Sequence, residues 1–136
     1  MQNPCTILLI DDNPDDIFIT RRAIAKCHAD CVVESASTGQ EAIDRLLSGK
    51  IPALIFLDLK MPGIGGIEVL QFIRSQEPLR YIPVVILTSS RINDDLKTAY
   101  KAGANSFIHK CHDLQSFTRN LSTAIQYWIE LNISPE

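Results

Sequence analysis

The sequence predicts an α/β fold, a doubly wound parallel sheet of five strands with helices on both faces. Five short apolar runs alternate with five helical patterns along the 136 residues. The strongest runs are apolar without interruption, which indicates strands that are buried on both faces. Right-handed crossovers between such strands place helices on both sides of the sheet.

The predicted strands follow the apolar runs in chain order. They cover residues 7–10, 31–33, 53–57, 84–87 and 106–109. Pro52 and Pro83 directly precede the third and fourth runs, and proline is tolerated at the start of a strand. Five β-α units favour the flavodoxin-like strand order 2-1-3-4-5.

The predicted helices have readable starts. Polar capping residues precede or open four of them: Asn13, Thr38, Asn93 and Asp113. Pro14 stands at the first position of the first helix, and Glu41 completes a capping box with Thr38. The third helix covers roughly residues 66–75, and Gly103 ends the fourth.

Apolar residues at helical spacing predict the buried faces of the first and last helices. In the first helix they are Ile17, Phe18, Ile24 and Ala25. In the fifth helix, which we expect to be the longest, they are Leu114, Phe117, Leu121, Ala124, Ile125 and Trp128.

The chain end carries further apolar residues, several of which lie off the stripe of the fifth helix. They are Tyr127, Ile129, Leu131 and Ile133. Because clustered exposed apolar residues usually mark an interface, we expect a homodimer built on the fourth and fifth helices, the fifth strand and this tail. The alternative is that the tail folds back onto its own domain.

Composition narrows the class of protein. The net charge is -3 and the pI is about 5.6, which argues against nucleic acid as a partner. The sequence has neither an apolar run of roughly 18 residues nor the basic start of a signal peptide. We therefore expect one cytoplasmic domain over residues 1–136, with a short extension at about 130–136 and no membrane partner.

The four cysteines form no CxxC pair, which disfavours a zinc or redox motif and favours reduced thiols. They are Cys5, Cys27, Cys31 and Cys111.

Chemically active side chains follow four of the predicted strands, and all parallel strands end at one edge. They are Asp11 and Asp12, then Asp58, Thr88 and Lys110. Three converging carboxylates repel one another by roughly 1–4 kcal/mol per pair, and Mg²⁺ with its oxygen ligands offsets such repulsion. Lys110 and Thr88 complete a pocket for a phosphoryl group, with Asp58 as the nucleophile.

Four segments resemble the receiver domains of bacterial two-component response regulators, of the chemotaxis-regulator type. They are ILLIDDNPDD, LIFLDLKMPGIGGIEVL, IPVVILTSS and KAGANSFIHK, and the resemblance spans about residues 5–130. More narrowly, the end TAIQYWIELNISPE resembles single-domain regulators paired with phytochrome-type histidine kinases.

The resemblance implies roles for the residues at the sheet edge. It implies that Asp58 is the phosphoacceptor and that Asp12 and Asp58 ligate magnesium directly. Asp11 is implied to act through water, and Lys60 to contribute its backbone carbonyl.

The resemblance also implies that Thr88 and Lys110 contact the phosphoryl oxygens. Phe107 matches the switch aromatic, which rotates inward when Thr88 is drawn to the phosphoryl group; a plain core aromatic is the alternative. The sequence departs from the family where Cys111 follows Lys110 in place of a cis-proline. A non-proline cis bond costs about 3 kcal/mol, which leaves a trans bond and a differently shaped loop open.

These features predict a signalling switch that receives a phosphoryl group on Asp58 from a sensor histidine kinase and then changes its surface for a downstream protein. Apart from self-phosphorylation from a phosphodonor and slow autodephosphorylation, we expect no enzymatic activity. One alternative is an unphosphorylated pseudo-receiver scaffold. The other is an aspartate-nucleophile phosphatase of the haloacid dehalogenase type, which requires an aspartate where Lys60 stands.

Overall fold

A computed structural model describes residues 5–89, 93–110 and 113–135, and these form five parallel strands alternating with five α-helices. The strands are β1 (Thr6–Ile10), β2 (Val32–Ala36), β3 (Leu54–Leu57), β4 (Val84–Thr88) and β5 (Ser106–His109). The helices are α1 (Pro14–Cys27), α2 (Gly39–Leu47), α3 (Gly66–Ser75), α4 (Asn93–Ala102) and α5 (Leu114–Ile125). The sheet order β2-β1-β3-β4-β5 confirms the predicted fold.

The central strands divide the core into two apolar layers because their side chains alternate between the two sheet faces. Leu8 of β1 and Ile55 of β3 are register partners on the face covered by α2, α3 and α4. Phe56 of β3 and Val85 of β4 are partners on the face covered by α1 and α5. All residues of β3 and β4 are buried, as the uninterrupted apolar runs predicted.

The predicted apolar faces of α1 and α5 were wrong at three positions. Phe18 and Leu114 are 59% and 57% exposed, and Ala25 is exposed as well. In α1 the inward face runs through Thr20 and Ile24, and Phe18, two residues before Thr20 at about 100° per residue, points to nearly the opposite side of the helix. The exposed residues instead border the groove between α1 and α5.

The fifth helix continues beyond Ile125 as a π-helical segment, Gln126–Leu131. The α-helical part has 12 residues against 14 in α1, so α5 is the longest helix only when this segment is counted. Trp128 and Ile129 pack against the apolar layer beneath α1 and α5, whereas Leu131 is 65% exposed. Within the described residues, no helix combines the length and the hydropathy that crossing a bilayer requires.

Arg74, at the end of α3, joins several segments at the amino ends of the strands. Its guanidinium donates hydrogen bonds of 2.7–2.9 Å to the carbonyls of Arg80, Ile82 and Gly103 and to Oδ1 of Asn105. The same Oδ1 accepts the Val84 N–H at 2.7 Å. Arg74 therefore fixes the connection before β4 and the turn between α4 and β5.

Arg74→Lys is expected to lower the free energy of unfolding by about 1–3 kcal/mol. A lysine ammonium cannot reproduce the planar set of donors, so two partly buried carbonyls, of Ile82 and Gly103, lose their partners. Urea unfolding should show a lower midpoint with an unchanged slope. The control is Arg80→Lys, because the Arg80 side chain makes only a more exposed ion pair with Glu77 and should change stability by less than about 0.5 kcal/mol. Equal midpoints for the two variants would contradict the role given to Arg74.

Candidate functional site

Four strands bring polar side chains to the carboxyl edge of the sheet, as the sequence predicts. They are Asp11 and Asp12 after β1, Asp58 after β3, Thr88 at the end of β4 and Lys110 after β5. The parallel ladder itself positions them: the Asp58 N–H donates to the Ile10 carbonyl, and the Lys110 N–H donates to the Thr88 carbonyl, each at 2.9 Å. The site is therefore built on the most buried part of the fold.

The three aspartates form one cluster. Asp11, Asp12 and Asp58 each offer a carboxylate oxygen, and these atoms lie within 4.8 Å of one another. Asp11 and Asp58 are 1% and 8% exposed, while Asp12 faces solvent. Oxygen donors with an open, wet side are the ligands that hard divalent cations prefer, so the cluster fits such an ion.

The two buried carboxylates differ in their hydrogen bonds. Asp11 accepts the Asn13 N–H on Oδ1 at 3.0 Å and the Lys110 ammonium on Oδ2 at 2.8 Å. From the described residues, Asp58 receives only longer contacts, 3.4 Å from the Lys60 N–H to Oδ1 and 3.8 Å from Lys110 Nζ to Oδ2. Asp58 is thus the buried carboxylate with the weakest contacts to its own protein.

Lys110 provides the positive charge of the site. Besides Asp11, its ammonium binds Asp16 Oδ2 at 2.9 Å, and its side chain is 15% exposed. Burial alone lowers the pKa of Lys110, but the hydrogen bonds to Asp11 and Asp16 and the charge of Asp58 outweigh it and raise the pKa. Lys110 is therefore charged at neutral pH.

Sequence reasoning missed Asp16. Acidic residues in the first turn of a helix are expected from the helix dipole alone, so Asp16 carried no separate signal. In the structure Asn13 caps α1 by accepting the N–H groups of Asp15 and Asp16 at 2.9 and 3.3 Å. Because α1 starts directly at the carboxyl edge, this first turn brings Asp16 to Lys110. The start of α1 directly after β1 was the sequence signal that could have indicated the contact between Asp16 and Lys110.

The environment of Asp58 disfavours its charged form. Burial raises the pKa of Asp58 to about 6, and Asp11 and Asp12 add to the increase. The Lys110 charge and the Lys60 N–H act in the opposite direction without cancelling it. A carboxylate in this environment gains from any cation that approaches it.

The start of α3 packs tightly against the backbone that carries Asp58. A Cβ at Gly66 would lie 2.4 Å from the Asp58 carbonyl oxygen, so the approach requires glycine. The preceding Gly65 is the N-cap of α3, and its N–H donates to Glu68 Oε1 at 3.2 Å. These contacts fix the connection from β3 to α3.

The other predicted residues border the cluster. Thr88 is buried, with 1% exposure. Phe107 is partly buried beside the layer under α4, and its ring lies 5.5 Å from that of Tyr100. Lys60 Nζ lies 3.4 Å from Asp95 Oδ2 in the first turn of α4. Cys111, and with it the Lys110–Cys111 bond, lies outside the described residues.

Comparison with known proteins gives a consistent result. Residues 7–122 match the family model described as the response regulator receiver domain. A probable methanogenesis regulatory protein, FilR2 of Methanothrix harundinacea, is 35% identical over 139 residues, which cover 98% of this chain and 90% of that protein. Further curated relatives are longer, and the chain spans 25% to 56% of their length.

Two solved structures are similar over almost the whole chain. The phosphorylated cyanobacterial phytochrome response regulator RcpA has a TM-score of 0.90 at 30% identity, covering 98% of this chain and all of that one. The Mn²⁺-bound form of the response regulator Rcp1 has a TM-score of 0.86 at 28% identity, with the same coverage.

Asp58→Asn is expected to raise the free energy of unfolding by about 1–3 kcal/mol in chelator at pH 7.5, as urea unfolding would measure. The folded-state pKa of about 6 exceeds the ordinary 3.8, so the ionised Asp58 carboxylate destabilises the folded protein above pH 6. This penalty shrinks as the pH falls from 6 to about 4, because the Asp58 carboxylate becomes protonated in the folded protein. Below about pH 4 the penalty is absent, and the wild type and Asp58→Asn should have similar free energies of unfolding.

Asp44→Asn is the control, because Asp44 is an exposed carboxylate of α2. It should leave the unfolding midpoint unchanged at both pH values. A stabilisation by Asp58→Asn that persists undiminished at acid pH would refute the electrostatic origin.

Proposed function

The chain belongs to the response regulator receiver domains of two-component systems, which are phosphoacceptor switches, and we propose that Asp58 is its phosphoacceptor. The observation that carries this proposal is the contrast between the two buried carboxylates. Both oxygens of Asp11 are bound at 3.0 Å or less, whereas the contacts of Asp58 with the described part of the chain are 3.4 and 3.8 Å long. The Asp58 oxygens are the ones left available to form a new bond.

Transfer from a phosphohistidine breaks a phosphorus–nitrogen bond and forms a phosphorus–oxygen bond at the Asp58 carboxylate. Lys110 lies 3.8 Å away and supplies positive charge where the negative oxygens arrive. Thr88 ends β4, the strand that pairs with β3, and its hydroxyl is proposed to contact the same oxygens. The state of Asp58 can thus be sensed by the ends of β4 and β5.

We infer that magnesium is the ion of the acidic cluster. Asp12 and Asp58 would hold it directly, Asp11 through water, and Lys60 through its backbone carbonyl. The three carboxylate oxygens within 4.8 Å support a divalent ion, and Rcp1 is a related regulator with Mn²⁺ bound. Such an ion supplies the charge that offsets the carboxylates and a phosphoryl group.

A sensor histidine kinase is the proposed phosphodonor, and it must cover the surface next to Asp58 because its histidine has to reach that carboxylate. Exposed apolar residues lie there, between α1 and α5: Phe18, Ile19 and Leu114. Leu114 and Ile19 share a cleft with Asp16 and Lys110. We propose this α1–α5 groove as the kinase-docking surface, and a phytochrome-type kinase because RcpA is a phytochrome response regulator.

We further propose a cytoplasmic single domain over residues 1–136 that acts on a downstream protein and forms a homodimer through α4, β5, α5 and the tail. Tyr127, Leu131 and Ile133 are 48%, 65% and 93% exposed, which supports the interface. Ile129 packs against the core of its own domain, so we no longer include it in the proposed interface. The phosphatase alternative is not favoured, because Lys60 occupies the position of the required second aspartate.

Acetyl phosphate with magnesium is expected to phosphorylate the wild type and not Asp58→Asn, as intact-protein mass spectrometry would detect. Asp12→Ala should abolish both metal binding and labelling, since it removes a proposed ligand. Asp44→Asn is the matched carboxylate control and should be labelled normally. Labelling of Asp58→Asn at the wild-type level would exclude Asp58 as the phosphoacceptor.

Phe18→Ser combined with Leu114→Ser is expected to slow transfer from a phosphorylated phytochrome-type histidine kinase by about tenfold or more, because apolar anchors dominate binding. Labelling by acetyl phosphate should not change, since neither residue belongs to the acidic cluster. Tyr81→Ser, at an exposed position before β4, serves as the control. Equal slowing with both donors would show that the double variant damages the site itself.

A further inference from the structure

Two thiols lie side by side at the amino ends of β1 and β2, on the edge of the sheet opposite Asp58. Cys5 and Cys31 directly precede Thr6 and Val32, which are register partners in the parallel ladder. The Val32 N–H donates to the Cys5 carbonyl at 2.7 Å. Neighbouring strands lie about 4.8 Å apart, which is within the Cα separations of about 4.4–6.8 Å that disulfides span.

The strand register places the two side chains on the same face of the sheet. Cys5 and Cys31 pack against the same apolar layer, each affects the pKa of the other, and both are partly buried and free of any disulfide. Cys27, at the end of α1, is exposed. No CxxC motif marks the pair in the sequence, because strand register and not close spacing along the chain brings the two residues together.

We propose that Cys5 and Cys31 form a redox-modification site, which hydrogen peroxide closes to a cross-strand disulfide and a thiol reductant reopens. The Cys31 sulfur takes one oxygen from the peroxide, which gives a sulfenic acid and one water. The Cys5 sulfur then displaces that oxygen as a second water and forms the S–S bond. Two thiols lose two protons and two electrons, and one peroxide is reduced to two waters.

The surroundings of the pair set its reactivity. Burial raises the pKa of the Cys5 thiol to about 12, and the contact with Cys31 and the charge of Asp30 add to the increase. Burial also raises the pKa of Cys31, together with Asp30 and Glu130, while the hydrogen bond from Cys5 acts against them. Both sulfurs are protonated at neutral pH, so the pair closes under sustained oxidant, with Cys31 as the first sulfur to react.

Closure would act on the C-terminal segment and leave the acidic cluster intact. Cys5 and Cys31 pack against the same apolar layer as Trp128 and Ile129. Asp11 lies six residues along β1 from Cys5, which corresponds to about 20 Å of extended strand. Trp128 is the only tryptophan of the chain, so its fluorescence reports on the packing of the apolar layer that the thiol pair also contacts.

The test uses the full chain with Cys27→Ser and Cys111→Ser, treated with hydrogen peroxide and then with a thiol-blocking reagent. Peptide mapping should find Cys5 linked to Cys31 within one chain, and dithiothreitol should remove the link. Trp128 fluorescence should change and revert in parallel, and the urea midpoint of the oxidised protein should rise because the cross-link restricts the unfolded chain. Labelling by acetyl phosphate should be the same before and after oxidation.

Cys5→Ser in the same background is the control and should show neither the linked peptide nor the reversible fluorescence change. Sulfinic or sulfonic acid on Cys31 without a linked peptide would overturn the proposal, as would a disulfide between two chains. The wild-type chain is mapped alongside, so that the test does not depend on the folding of the serine variants. A Cys27–Cys31 link as the main product there would equally overturn it.

Discussion

The mutual repulsion of three aspartates at one edge of the sheet is the constraint on which the site depends. The strand ends fix their positions, so the cluster cannot relax by moving apart. Lys110 offsets part of the repulsion through contacts of 2.8 Å with Asp11 and 3.8 Å with Asp58. The same ammonium also binds Asp16 and so pairs with three carboxylates, while burial together with Asp11 and Asp12 still raises the pKa of Asp58 to about 6. Lys110 can therefore shift between partners when the charge at Asp58 changes.

At the opposite edge of the sheet, where the strands begin, the polar groups form hydrogen bonds with one another and do not repel one another. Arg74 donates to the carbonyls of Arg80, Ile82 and Gly103, and Asn105 bridges Arg74 and the start of β4. Buried charged groups with several hydrogen bonds stabilise their surroundings, whereas converging carboxylates destabilise theirs. The amino edge of the sheet is thus stabilised by its own hydrogen bonds, whereas the carboxyl edge keeps an excess of negative charge. A cation that binds at the carboxyl edge offsets this charge and stabilises the site.

Most of the fold could be predicted from the sequence because its signals are local. Apolar runs gave the strands, caps gave the helix starts, and the rule that parallel strands end together gave the position of the acidic cluster. The missed features depend on relations between distant segments. Asp16 reaches Lys110 only through the orientation of α1, and Cys5 meets Cys31 only through strand register. Leu114 matched a helical stripe, but the rotation of α5 left it exposed. The roles of the site residues stay predictions.

Two contacts lead from the site to α4. Phe107, in the strand that ends at the site, lies against Tyr100 of α4, and Lys60 pairs with Asp95 in the first turn of that helix. α4 buries only Ala99, whereas each of the other α-helices buries at least three residues. A helix with so little buried surface loses little apolar contact when it shifts. The contacts from the site therefore end on the helix that the core holds least firmly.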